Sequence, residues 1–156
     1  MKIELPSIND WEKVNNLAIQ VHELHVNWRP DLFISVKEVI TKDELLELIE
    51  NKEIFVAKIE ENIVGYITFT IIEKLNQNPK FRRRKQLNIE TVCVDEKFRG
   101  KRIGTELLNF AKQIGIDNNC TDMYLTVNEE NINAINTYEK FGMKVKYISY
   151  SMKIDD

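Results

Sequence analysis

Arg99, Gly100, Lys101, Arg102 and Gly104 sit together in a short basic turn. An apolar β-type run, Val92-Cys93-Val94, ends just before it, and the helical pattern Ile103, Leu107, Leu108, Ala111, Ile114 opens just after. A strand feeding a helix through such a turn aims several backbone N–H groups and the positive end of the helix dipole at one point. That geometry binds phosphate. Gly104 lets the backbone approach a ligand that a Cβ would push away. The three cations add fixed charge, and the Arg99 guanidinium can grip phosphate at two points. The plain alternative is a solvated basic loop around a tight turn. Two nucleotide signatures fail: Arg102 stands where a Walker motif needs Ser or Thr, and no Gly-x-Gly-x-x-Gly occurs.

A second constellation is Asn131, Ala134 or Ile135, and Tyr138, which fall on one face of a helix. By itself a helical tyrosine is more often a packed aromatic with a satisfied hydroxyl. His22 and His25 are three apart on a helical pattern, which hints at metal, but no third ligand is near in sequence, so no metal is expected. Cys93 and Cys120 lack metal-ligand spacing and read as free thiols. Arg82-Arg83-Arg84-Lys85 reads as solvated loop, because no aromatics interleave with it as on an RNA-binding surface.

The elements that must position these residues follow from period and punctuation. Residues 2–5 predict a short strand closed by Pro6. Ser7, Asn9 and Asp10 are candidate caps for a helix carrying Val14, Leu17, Ala18, Val21, Leu24 and His25, ended by Pro30. Thr41-Lys42-Asp43-Glu44 is a capping box that starts a short helix through Ile49. The period then changes. Ile54–Ile59 and Ile63–Ile72 predict an antiparallel hairpin, Glu73 to Lys85 a loop, and Leu87–Val94 the next strand. A helix from Ile103 to about Asn118, a strand Met123–Val127, a helix Asn131–Phe141 stopped by Gly142 and a closing strand Val145–Met152 complete the chain. The order predicts an α/β protein with a mixed sheet.

At 156 residues, 43% hydrophobic and 30% charged, one globular domain over 1–156 is expected. A net charge of −3 argues against a chain built to coat nucleic acid. No run of about 18 apolar residues occurs, which points to a soluble cytoplasmic protein with no membrane partner.

Together the two constellations resemble the GNAT N-acetyltransferase superfamily. Its acyl-CoA loop, Arg/Gln-x-x-Gly-x-Gly/Ala, is matched by Arg99-x-x-Arg102-x-Gly104, with Arg102 in place of the first glycine. Its second motif, Asn-x-x-Ala-x-x-x-Tyr-x-Lys-x-Gly-Phe, is matched by Asn131, Ala134, Tyr138, Lys140 and Gly142, with Met143 in place of the final Phe. The resemblance implies a central mixed, mostly antiparallel twisted sheet flanked by about four helices. It also implies acetyl-CoA as co-substrate, a primary amine as acceptor (small molecule, polyamine or peptide), and room for a homodimer.

Residue by residue, backbone groups of Val92, Cys93 and Val94 would hold the acetyl carbonyl and the pantetheine arm. Arg99, Gly100, Lys101, Arg102, Ile103, Gly104 and Thr105 would hold the pyrophosphate. Asn131 would touch the pantetheine or phosphate side, and Tyr138 would lie near the thioester sulfur. An alkyl amine with a pKa near 10.4 is neutral in only about one molecule in 2,500 at neutral pH, so attack on a thioester needs a base or a water relay. Glu90, nine residues before Arg99, stands where many members of the family place that base. The family also interrupts this strand with a bulge, so simple alternation cannot say which way Glu90 faces. A non-catalytic acyl-CoA-binding or sensing module is the alternative of a different class.

Overall fold

A computed structural model describes residues 1–74 and 79–154. It divides into two compact units, Met1–Thr126 and Val127–Asp156.

The first unit contains the strands β1 (Lys2–Glu4), β2 (Ile54–Ile59), β3 (Asn62–Lys74), β4 (Arg84–Val94) and β5 (Asp122–Tyr124). They form one sheet in the order β1-β2-β3-β4-β5. All neighbours are antiparallel except β4 and β5, which run parallel. The helices of this unit are α1 (Trp11–Trp28), α2 (Lys42–Glu50) and α3 (Ile103–Asp117).

Each helix begins and ends for a local reason. A 3₁₀ turn at Ile8–Asp10 leads into α1, with the Asp10 carboxylate accepting from the Ser7 backbone N–H at 2.9 Å. Pro30 stops α1 as expected. At α2 the capping box is formed: Thr41 Oγ1 accepts from the Glu44 N–H, and the Glu44 carboxylate accepts from the Thr41 N–H at 2.7 Å. The connection between α1 and α2 is tied down by buried Asn15, which donates to Lys37 O and accepts from the Val39 and Ile40 N–H groups.

Alternation along the strands divides the core between two faces. Val14, Leu17 and Ala18 of α1 and Leu45 of α2 pack with Ile54, Val56, Ile63, Tyr66 and Cys93 on one face. On the other, Phe55 packs against Phe69 and Phe110, and α3 buries Ile103, Leu107, Leu108 and Ala111. Gly65 lets the β3–β4 pair close at its end: a Cβ there would stand 2.6 Å from the Cys93 carbonyl oxygen.

In the second unit, α4 (Ile132–Phe141) is the one helix among the described residues. Asn131 Oδ1 accepts from the Ala134 N–H at 3.2 Å and caps its start. Gly142, at φ 100°, ends it, with the Met143 N–H returning to Tyr138 O.

The mixed sheet and four helices agree with the expected fold, while several boundaries differ. Strands β3 and β4 run on through Glu73-Lys74 and Arg84-Lys85, which had read as loop. Arg84 is held in strand because its guanidinium forks onto Asp122 of β5, Nη2 to Oδ2 at 2.6 Å. The expected loop residues 75–78 lie outside the described residues. β5 stops at Tyr124 rather than Val127, and residues 145–152 form no strand. Their composition is strand-like, but strand formation depends on cross-strand partners that composition does not name.

Candidate active site

The site residues of the first unit lie along the second half of β4 and its exit into α3. The register between β3 and β4 slips once: Thr68 pairs with Thr91 and Phe69 with Ile89, which leaves Glu90 as the extra residue of a bulge. Its carboxylate is exposed on the sheet surface. One oxygen, Oε1, accepts from Asn88 Nδ2 at 3.1 Å and Thr70 Oγ1 at 3.3 Å. These two donors fix the carboxylate's position. Thr70 was not legible from the sequence, since its approach depends on the cross-strand register and the bulge. Asn88 carried one faint signal, a same-face spacing of two.

Beyond the bulge the strand regains its register, and one bond sets its phase. The Asp95 N–H donates to Val64 O at 2.9 Å. In an antiparallel pair, hydrogen-bonding direction alternates by residue. Asp95 and Cys93 therefore turn their N–H and C=O groups toward β3, while Val94 and Val92 turn theirs away. On that outer side β5 pairs only with Gln86, Leu87 and Asn88. The polar backbone edge of Val92 and Val94 thus lies beyond the reach of β5 and pairs with no described strand.

The chain then passes a 3₁₀ turn at Glu96–Phe98, started by Asp95 Oδ1 accepting from the Lys97 N–H. Gln20 of α1 anchors it by accepting from the Glu96 N–H. Arg99 Nε donates to Val94 O at 3.2 Å, which ties the guanidinium back to the strand end. Lys101 Nζ lies 4.9 Å from the Phe98 ring centroid, a cation–π contact.

Arg102 is the N-cap residue of α3 and lies in the left-handed region, φ 63° and ψ 11°. It provides no side-chain cap. The first helical bond is Glu106 N–H to Arg102 O, so the N–H groups of Ile103, Gly104 and Thr105 have no acceptor within the helix. A Cβ on Gly104 would meet only Val94 Cγ2, at an ordinary 3.7 Å. The protein's own packing therefore does not demand glycine there. Unpaired donors, flanking cations and a bare backbone together fit a pyrophosphate.

Asn131 and Tyr138 share the same face of α4 in the second unit, together with Ala134 and Ile135, and all four are partly covered. Asn131 already spends its carboxamide oxygen on the helix cap. Burial pushes the Tyr138 phenol above its ordinary pKa, so it stays protonated and able to donate at neutral pH.

The remaining candidates fill structural roles. His22 Nε2 lies 2.7 Å from Ile34 O, and the His25 ring packs against Trp28 and Phe33. Burial, with the neighbouring His22 charge, holds His25 below its usual range. No group of three or more potential ligands for a metal occurs among the described residues. Cys93 and Cys120 are free thiols. Cys93 is buried with Sγ 3.3 Å from Leu17 O, and burial raises its pKa to about 12. No described helix is long and apolar enough to cross a membrane.

A mixed sheet whose parallel pair β4–β5 ends short of a basic turn and a bare helix N-terminus defines a class. The Acetyltransferase (GNAT) family matches residues 17–143, and this chain belongs to it. Among relatives, an N-alpha-acetyltransferase of Saccharolobus solfataricus is 34% identical over 94 residues; the match covers 58% of this chain and 55% of that protein. A point mutant of the BH1408 protein from Bacillus halodurans superposes with a TM-score of 0.93 at 26% identity, covering 99% of each chain. Glucosamine-6-phosphate N-acetyltransferase from Arabidopsis thaliana shares the fold at a TM-score of 0.65 and 24% identity, over 99% of this chain and 98% of its own.

Proposed function

We propose that residues 1–156 act as one N-acetyltransferase domain that moves an acetyl group from acetyl-CoA to a primary amine by direct attack. The observation that carries this reading is the short reach of β5, which pairs with β4 at Gln86, Leu87 and Asn88. It leaves the outward backbone edge of Val92 and Val94 free of any described strand, one turn of chain before the uncapped start of α3.

Bound acetyl-CoA supplies an acyl thioester whose carbonyl is open to a nucleophile. The chain's residues supply the rest. The N–H groups of Ile103, Gly104 and Thr105, with Arg99, Lys101 and Arg102, hold the pyrophosphate, and the edge of Val92 to Val94 receives the pantetheine amides. The outward Val92 N–H donates to the oxygen on which charge develops. Glu90, directly or through water, takes the proton that an ammonium must lose before it can attack. The Tyr138 hydroxyl donates to the departing sulfur.

Direct attack is favoured over a covalent acetyl-enzyme by the state of the thiols. A buried cysteine with a pKa near 12 holds almost no thiolate at neutral pH, and burial also raises Cys120. The S. solfataricus relative's name puts free N-terminal amines of peptides first in an acceptor panel, followed by polyamines and amino sugars. The test is acetyl-CoA-dependent release of CoA thiol over that panel. Release above the hydrolytic background with at least one amine supports the reading. Tight acetyl-CoA binding by calorimetry with no release from any amine favours the non-catalytic binding module instead.

A further inference from the structure

In the acetyl-CoA reading Arg99 and Val94 each meet the co-substrate, yet the chain bonds them to each other. Arg99 Nε donates to Val94 O at 3.2 Å. The strand phase explains why this carbonyl can be reached: the Asp95 N–H bonds to Val64 O on the β3 side, so Val94 turns its carbonyl the other way. The turn between the two residues is held firmly. The Phe98 N–H returns to Asp95 O at 2.8 Å, the Lys97 N–H to Asp95 Oδ1 at 2.9 Å and the Glu96 N–H to Gln20 Oε1 at 3.2 Å. The Arg99 backbone is thereby fixed, while its side chain is exposed and makes no ion pair within the first unit. A rotamer change alone moves the guanidinium.

We propose that Arg99 reserves the outer edge of β4 for thioesters that carry phosphate, and so selects which acyl carriers the protein accepts. The proposal rests on the acetyl-CoA reading of this same site. A cationic N–H on a carbonyl makes a stronger hydrogen bond than the neutral amide N–H of a pantetheine arm. A pantetheine thioester without phosphate therefore competes with Arg99 for Val94 O, and its affinity falls by the fraction of time that the carbonyl is taken. Pyrophosphate changes the balance, because the guanidinium fork meets two phosphate oxygens at once, charge against charge. The guanidinium then leaves the carbonyl for the phosphate, and the pantetheine amide takes its place. Lys101 has a different neighbour, the Phe98 ring, and Arg102 is the N-cap residue of α3. Of the three cations in the turn, Arg99 is the one bonded to the strand edge.

The test compares CoA with pantetheine, the same arm without its phosphates, on the wild type and on Arg99→Met, which keeps an unbranched stem and removes the donors. Calorimetry reads CoA, and ligand-detected magnetic resonance reads pantetheine. The variant should bind CoA about tenfold more weakly and pantetheine about two- to tenfold more tightly, the scale of one net hydrogen bond. Pantetheine affinity that is unchanged or lower in the variant overturns the proposal, since Arg99 then stays on Val94 O while it meets the phosphate. A second measurement needs no variant. Inorganic phosphate should tighten pantetheine binding to the wild type, because it draws Arg99 away. Independent binding of the two also overturns the proposal. A wild type that binds no CoA sinks the acetyl-CoA reading and this proposal with it. CoA bound by the wild type, with no gain for pantetheine in the variant, removes only the role given to Arg99.

Discussion

Glu90 owes its position to a bulge and to two neighbours, and its chemistry follows from that placement. Asn88 and Thr70 both donate to Oε1, which leaves Oε2 to accept a proton or a water. Asn88→Asp puts a second carboxylate beside Glu90 and raises the pKa of the pair. The rising limb of the pH–rate profile should therefore move to higher pH, while Glu90→Gln should lower the neutral-pH rate about 100-fold or more. A limb that stays put in Asn88→Asp removes Glu90 from the proton path. Tyr138→Phe deletes only a hydroxyl; turnover should fall on a similar scale with CoA affinity by calorimetry unchanged, and equal turnover would strip it of its role. Arg102 holds a left-handed conformation that costs an L-residue about 1–2 kcal/mol. Arg102→Gly should raise the melting temperature while weakening CoA binding and flattening its salt dependence. Unchanged affinity at low and high salt would show that the side chain does not touch the phosphates. The 99–104 turn was legible because its chemistry lies in backbone and charge at fixed short spacing. The support for Glu90 was not, because Thr70 is twenty residues away in sequence and meets it only across the β3–β4 ladder.

The elements divide by how local their causes are. The helices read well because their signals are local: Thr41 with Glu44, Pro30, Asn131 and Gly142 each act within a turn or so of where they stand. Strand ends depend on partners elsewhere in the chain. Arg84 and Lys85 looked like loop until Asp122, thirty-eight residues beyond Arg84, was found beneath the guanidinium. Residues 145–152 have a strand's composition but are not in strand. Asp122 also gives β4–β5 a pH signature. Burial alone would raise its pKa, but hydrogen bonds from Gln86, Thr121 and Arg84 and the Arg84 charge outweigh that and leave it lowered. A carboxylate depressed in the folded state contributes stability that is complete above its unfolded pKa of about 3.9 and is lost as pH falls through the folded value. Thermal melts should therefore show wild type above Asp122→Asn by a constant margin near neutrality, narrowing in acid below about pH 4. A margin that does not change with pH would mean the pair is held by shape rather than charge.

At the scale of the molecule, family membership rests on a match spanning residues 17–143. The proposed activity rests on features distributed along it: a basic turn, a strand edge beyond the reach of β5, a held carboxylate and a protonated phenol. The thiols give this arrangement its sharpest consequence, because burial keeps Cys93 protonated at neutral pH and makes it a poor group on which to store an acetyl. In the proposed reading the amine takes the acetyl directly. Single-turnover mass spectrometry of protein and acceptor together, with acetyl-CoA limiting and an amine that releases CoA thiol, reads this outcome in one experiment. The prediction is an acetyl group on the acceptor nitrogen and none on the protein at any time point. Acetylated protein that forms before acetylated amine, and decays into it, would contradict the account.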